Sequence, residues 1–209
     1  MFTGIVQKSL AIATLDRAPG LIRLGIEFPE PMRAGLGIGA SVSLDGICMT
    51  VTKIENGLVS FDAVQGTIDR TTIGDRGPSD PINVERSIKF GDEIGGHILS
   101  GHVTDTATVI GIDTASPAPY LQFTVPEEWQ RYIFKRGYIA INGCSLTVAE
   151  ADETLGIYRI NLIPETLRVT ALGRYHPGDR LNFEIDSQTQ IMVDTMERCF
   201  ERYGMTRLR

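Results

Sequence analysis

Two short runs of the same shape carry most of the reactive side chains. Cys48 stands two positions before Thr50 in Gly46-Ile47-Cys48-Met49-Thr50-Val51, and Ser145 stands two before Thr147 in Gly143-Cys144-Ser145-Leu146-Thr147-Val148. On a β-strand, residues i and i+2 share a face, so each run offers a small nucleophilic or hydrogen-bonding group beside a threonine hydroxyl. Buried filler accounts for Cys48 taken alone. It does not account for hydroxyls recurring at Thr50, Thr67, Thr147 and Thr166. Neutral hydroxyls and turn amides suit an uncharged polar heterocycle rich in donors and acceptors, and suit a phosphate or carboxylate poorly. Two such sets point to two copies of one ligand, or to two similar ligands.

His97 and His102 are two of the three histidines. Their spacing of five matches neither the i, i+4 of a helix nor the i, i+2 of a strand, and a zinc site needs three or four ligands, so no metal is expected. Structural hydrogen bonding and a role in binding or proton transfer both stay open for them. Cys48, Cys144 and Cys199 are far apart, odd in number and without Cys-x-x-Cys spacing, which predicts free thiols. Gly35-Leu-Gly37-Ile-Gly39-Ala40 has the letters of a dinucleotide fingerprint, but Ser41-Val-Ser-Leu44 after it reads as a strand where that motif needs a helix. Gly91-Asp-Glu-Ile-Gly95-Gly96 lacks the Lys-Ser/Thr of a phosphate loop and reads as a connection.

The elements that hold these residues are written twice. Gly4-Ile5-Val6 matches Gly101-His102-Val103, Leu24–Met32 matches Leu121–Trp129, and Asp45–Val51 matches Asn142–Val148, each pair 97 positions apart. Thr67–Gly74 matches Thr166–Gly173 and Asn83-Val84-Glu85 matches Asn182-Phe183-Glu184 at an offset of 99, so two residues are gained in a hairpin between. Apolar alternation in Leu58-Val-Ser-Phe-Asp62 and Tyr138-Ile-Ala-Ile141, with turn signals at Asn56-Gly57 and Pro177-Gly178-Asp179, predicts short strands. Pro126 and Pro29 can each open a brief helix. The expectation is a mainly β protein: two tandem Greek-key β-barrels, six-stranded each, over 1–86 and 87–186. Past Asp186, Met192, Met196, Cys199, Phe200 and Tyr203 line one face of a helix within 187–209, with Asp186 or Ser187 as N-cap. That stripe serves either an oligomer contact or packing within the chain.

Lys and Arg number 20 against 26 Asp and Glu, for a net charge of −6 and no basic run, so nucleic acid is not an expected partner. No stretch approaches the roughly 20 apolar residues that span a membrane, and Met1–Val6 has no signal-peptide character, so a cytoplasmic location is expected.

Met1-Phe-Thr-Gly-Ile-Val6, the Cys48 strand, Gly95-Gly-His97-x-x-Ser100-Gly-His-Val103, the Ser145 strand and Asn161-Leu-Ile-Pro-Glu-Thr-Leu167 together resemble the riboflavin synthase family over nearly the whole chain. The resemblance implies binding of 6,7-dimethyl-8-ribityllumazine and riboflavin. It implies dismutation of two lumazines without cofactor, and a homotrimer joined by C-terminal helices with sites between the N-barrel of one subunit and the C-barrel of its neighbour. Whether a lumazine synthase shell surrounds it stays open. His102 is then the first choice for proton transfer, with Cys48 and Ser41 beside the N-barrel ligand and Ser145, Thr147 and Asp186 beside the C-barrel ligand. Ligand contacts carry over to Gly4, Ile5, Val6, Met49, Thr50, Asp62, Ala63, Val64, Gln65, Gly66, Thr67, Gly101, Val103, Arg136, Leu146, Asn161, Leu162, Ile163, Pro164, Glu165 and Thr166. Two positions depart from the pattern: Gly66 stands where the family usually has Glu, and Arg136 where Lys is common. Glu165 against Gly66 predicts the C-barrel as the tighter site. The same fold also serves non-catalytic lumazine- or flavin-binding antenna proteins, which is the rival reading. A trimer with vestigial pockets is a third.

Overall fold

A computed structural model describes residues 1–203. The first half supplies β1 (Lys8–Ala18), β2 (Leu21–Glu27), β3 (Ser41–Leu44), β4 (Ile47–Glu55), β5 (Leu58–Val64) and β6 (Pro81–Arg86), with α1 (Glu30–Arg33) and α2 (Gln65–Arg70) between strands. The second repeats the order with β7 (Asp105–Asp113), β8 (Tyr120–Thr124), α3 (Glu127–Gln130), β9 (Tyr138–Ile141), β10 (Cys144–Asp152), β11 (Ile157–Asn161), α4 (Pro164–Val169) and β12 (Arg180–Ile185). Each half closes into a six-stranded antiparallel barrel, β1-β2-β5-β4-β3-β6 and its counterpart β7-β8-β11-β10-β9-β12. The expected mainly β fold of two duplicated barrels and a C-terminal helix, α5 (Ser187–Tyr203), is what forms.

Alternation explains the closure. In β5, Val59, Phe61 and Ala63 are buried while the residues between them are not, so one face fills the barrel. Phe61 centres the first core and Phe123, Tyr158 and Phe183 the second; a fully buried side chain of this kind contributes roughly 1.5–3 kcal/mol. Bulges recur at equivalent places, Ile12/Thr14 with Val109/Gly111 and Val51/Lys53 with Val148/Glu150, and bend the strands where the barrel turns. The two gained residues lie in one turn. Asn56-Gly57 alone joins β4 to β5, both at positive φ, whereas residues 153–156 join β10 to β11.

The halves meet about a pseudo-twofold axis. Phe2 and Leu99, equivalent residues, pair reciprocally: each N–H donates to the other's carbonyl, at 2.9 and 3.0 Å. Val6 packs into the core of the C-barrel and Val103 against that of the N-barrel, so the arm before each barrel crosses to the other. At the axis, Asn182 Nδ2 donates to the Asp45 carbonyl and Asn83 Nδ2 to the Asn142 carbonyl. The Asn83 N–H donates to the Asp45 carboxylate as the Asn182 N–H does to the Asn142 amide oxygen. One departure from symmetry is charged. Arg76 donates to Asp45 Oδ2 at 2.7 Å, whereas the equivalent pair is neutral, Asn142 Nδ2 donating to the Tyr175 hydroxyl. Burial pushes the Asp45 carboxyl up, opposed by Arg76 and by the Asn83 amide.

Asp186 caps α5, accepting from the Gln188 and Thr189 N–H groups and the Thr189 hydroxyl. Val193 packs on the C-barrel core, the Tyr132 hydroxyl donates to Asp194, and Arg131 pairs with Glu197 at 3.2 Å. Ile191, Met192, Met196 and Tyr203 face away from the barrel and stay exposed. Residues 204–209 of the expected 187–209 segment lie outside the described residues.

Candidate functional site

Ser41 of β3 pairs with Thr50 of β4, which also carries Cys48. Over this strand lies the arm of the second half: the Cys48 N–H donates to the Gly101 carbonyl at 2.8 Å. Gly101 has φ +79°, and a Cβ there would stand 2.6 Å from Cys48 Cβ, so both backbone sign and space call for glycine. The C-barrel repeats this with exchanged roles. Ser145 and Thr147 of β10 pair with Ala140 and Tyr138 of β9, the Ser145 N–H donates to the Gly4 carbonyl at 2.8 Å, and Gly4 has φ +73°.

A buried glutamate clamps each arm. Glu85 accepts from the Thr3 N–H and hydroxyl and from the Gly4 N–H; Glu184 accepts from the Ser100 N–H and hydroxyl and from the Gly101 N–H. Burial raises both carboxyls above the usual range, against these donors. Glu184→Gln keeps one acceptor oxygen and turns an NH₂ group toward an arm donor. It should cost about 1–3 kcal/mol in urea unfolding and speed exchange of the Gly101 amide. A stability equal to the parent's would show that the clamp does not hold the arm.

Other expected site residues divide by burial. Met49, Ala63, Leu146 and Leu162 point into the cores, leaving only backbone for a ligand, and Val6 is core to the opposite barrel. Thr50, Thr147, His102, Asn161 and Arg136 are exposed. Asp62 lies 3.7 Å from Arg23, and Thr67 and Thr166 use their carbonyls to accept from the Thr71 and Thr170 hydroxyls. Gln65 donates to Asp69. Pro164 opens α4, and Glu165 in its first turn accepts two short bonds from Arg168 that hold its carboxyl below the usual range. Gly66 faces open space. The Asp186 carboxylate serves the helix cap.

Beside each constellation stand exposed apolar groups: the equivalent Val64 and Ile163, at 59 % and 62 %, with Ile5 and Tyr138 also open. Each half thus sets a hydroxyl-bearing strand under a crossing arm, but the surroundings differ: the N-barrel site has Ser41 and His102 where the C-barrel site has Tyr138 and Ile5.

Sequence reasoning did not pair His97 with Ser145, whose Oγ lies 2.6 Å from its Nδ1. Burial lowers the pKa of His97, opposed by the charge of Asp186. Nor did it find the glutamate clamps, although Glu85 and Glu184 were visible as repeat partners. Cys144 is buried, with its thiol pushed up to about 12, which makes it inert. Among the described residues, no cluster of three or more His, Cys, Asp or Glu could hold a metal ion.

The model of the Lumazine binding domain family matches this chain twice, over residues 3–87 and 100–186. The chain is 45% identical to riboflavin synthase of Escherichia coli (strain K12), covering 95% of this chain and 92% of that one. It is 38% identical to riboflavin synthase of Chlamydia pneumoniae, over 98% and 99%. Among solved structures, LumP complexed with riboflavin aligns with a TM-score of 0.83 at 28% identity, over 90% of this chain and 100% of that one. LumP complexed with 6,7-dimethyl-8-(1'-D-ribityl) lumazine gives 0.81 at 27%, with the same coverage.

Proposed function

Because the chain belongs to the riboflavin synthase family, with two lumazine binding domains in tandem, we propose that it binds one 6,7-dimethyl-8-ribityllumazine at each barrel and dismutates two of them. A four-carbon unit passes from one molecule to the other, yielding riboflavin and 5-amino-6-(ribitylamino)uracil. One substrate molecule gains what its twin loses, so no external oxidant enters the balance. The observation that carries this reading is the hydroxyl-bearing strand beneath a crossing arm, present twice in one chain.

The chemistry asks chiefly for two identical heterocycles stacked in a defined orientation, and positioning of that kind supplies roughly 7–11 kcal/mol. Ser41, Cys48 and Thr50 serve the N-barrel ligand, with Gly101 to Val103 of the crossing arm; Ser145 and Thr147 serve the C-barrel ligand, with Gly4 to Val6. His102, exposed on its clamped arm, takes the proton from the acidic 7-methyl group. Mixing the purified protein with the lumazine and following riboflavin by absorbance tests the reading. Binding without product would favour the rival, a flavin- or lumazine-binding protein without turnover. The likeness to LumP and the missing carboxylate at Gly66 support that second reading.

The two kinds of half-site close on each other between neighbouring subunits of a homotrimer, and the outward face of α5 supplies the contact. Met192 and Met196 are 65 % and 52 % exposed there. The paired substitution Met192→Glu and Met196→Glu should yield smaller species by sedimentation with the barrels intact, whereas an unchanged trimer would place the contact elsewhere. Three free thiols suit a cytoplasmic enzyme.

A further inference from the structure

Cys48 and Ser145 hold equivalent places, yet among the described residues only Ser145 is hydrogen-bonded to a histidine ring. The His97 imidazole is 8 % exposed and stacks on Tyr138, with centroids 5.1 Å apart and planes 19° from parallel. Its Nδ1 meets Ser145 Oγ at 2.6 Å, and its Nε2 is buried with no hydrogen-bond partner among the described residues. Cys48 packs instead against the small cluster of Phe2, Leu99 and Ala140.

We propose that His97 is a positioning residue that fixes the polarity of Ser145: its Nδ1–H donates to Ser145 Oγ, which turns the serine proton outward to a ligand acceptor atom. A neutral imidazole has one N–H and one bare nitrogen, and the bond made at one nitrogen selects the tautomer. Were the proton on Nε2, a buried N–H would lack any acceptor, the rarer and costlier defect; a bare Nε2 leaves only an idle lone pair. Protonating both nitrogens would bury a charge beside that orphaned position, and burial accordingly lowers the pKa of the ring against the pull of Asp186. Ser145, half-buried, then presents O–H to the open side of β10. The ligand class follows: a heterocycle offering a carbonyl oxygen or a bare ring nitrogen there is accepted, and one offering N–H meets donor with donor. At the N-barrel, Cys48 offers only a weak S–H donor, so two copies of one molecule are held with different polarity at matching points.

The ligand half of this proposal rests on the function proposed above; the tautomer half does not. Nitrogen NMR of ¹⁵N-histidine protein, with His97 assigned through its loss in His97→Asn, should find His97 neutral with the proton on Nδ1. A proton on Nε2 overturns the proposal. Titration with the lumazine should then find His97→Leu and Ser145→Ala each about 10-fold weaker at one of the two sites, and the double variant no weaker than either. His97→Asn, whose amide can donate from the place of Nδ1, should stay within about 3-fold of the parent. Equal losses for Asn and Leu, or multiplying losses in the double variant, overturn it. A parent protein that binds no lumazine overturns the proposed function and the ligand assignment together, while the NMR result still decides the polarity of Ser145.

Discussion

Gly101→Ala should cost the protein roughly 2–5 kcal/mol in urea unfolding and weaken lumazine binding at the N-barrel most. Left-handed backbone costs a non-glycine residue roughly 1–2 kcal/mol, and forcing a methyl into filled space about 1–3 more. Gly101 incurs both, at φ +79° and with Cys48 Cβ 2.6 Å and Phe2 Cε2 2.8 Å from the added carbon. Gly4→Ala should match it at the C-barrel, where Ser145 Cβ would be 2.5 Å away. Gly35→Ala and Gly39→Ala serve as controls, since both have positive φ but nothing within 4 Å. If Gly101→Ala cost no more than these controls, the close approach of arm to strand would be refuted.

Removing one partner of the buried pair at the axis should be as severe. Arg76→Met leaves Asp45, 1 % exposed, without its cation, and stranding one charge of such a pair costs about 3–5 kcal/mol. Adding Asp45→Asn should recover most of the loss, because the second half already works with Asn142 in that place: its amide oxygen accepts the Asn182 N–H as Asp45 accepts the Asn83 N–H. The pH dependence has a definite sign. Burial raises the folded-state pKa of Asp45, so the folded form holds the proton more tightly than the unfolded one. In Arg76→Met, with the opposing cation gone, stability falls as pH rises through the range between the two pKa values. The deficit against the parent should therefore shrink in acid. A deficit that stays constant from neutral to acid pH, or a double variant as unstable as the single, would contradict this account.

Local pattern carried the architecture far. The change of offset from 97 to 99 located a lengthened hairpin, and it is the turn at 153–156. The helical stripe from Met192 to Tyr203 and the cap at Asp186 were legible because helix period and cap chemistry are local. The crossing of the arms was not, because no periodicity records which barrel a segment lies against. Asn83 and Asn182 served only to mark register in the repeat, although their side chains cross the axis. The Arg168 bond to Glu165 spans one helical turn, and the sequence comparison of Glu165 with Gly66 carries no trace of it. His97 and Ser145 lie 48 positions apart, and only the fold puts them together.

The reciprocal pairing of Phe2 with Leu99 has a historical consequence. Equivalent residues that bond to each other mark an isologous contact, the kind two identical subunits make. A single barrel of this kind would find the receiving surface for its arm on a second copy, as in an arm-exchanging homodimer. Duplication within one chain keeps that contact inside a single molecule, with the join between β6 and β7. In a homodimer any mutation would alter both sites at once. Within one chain the equivalent positions can differ, as Cys48 differs from Ser145 and Asp45 from Asn142.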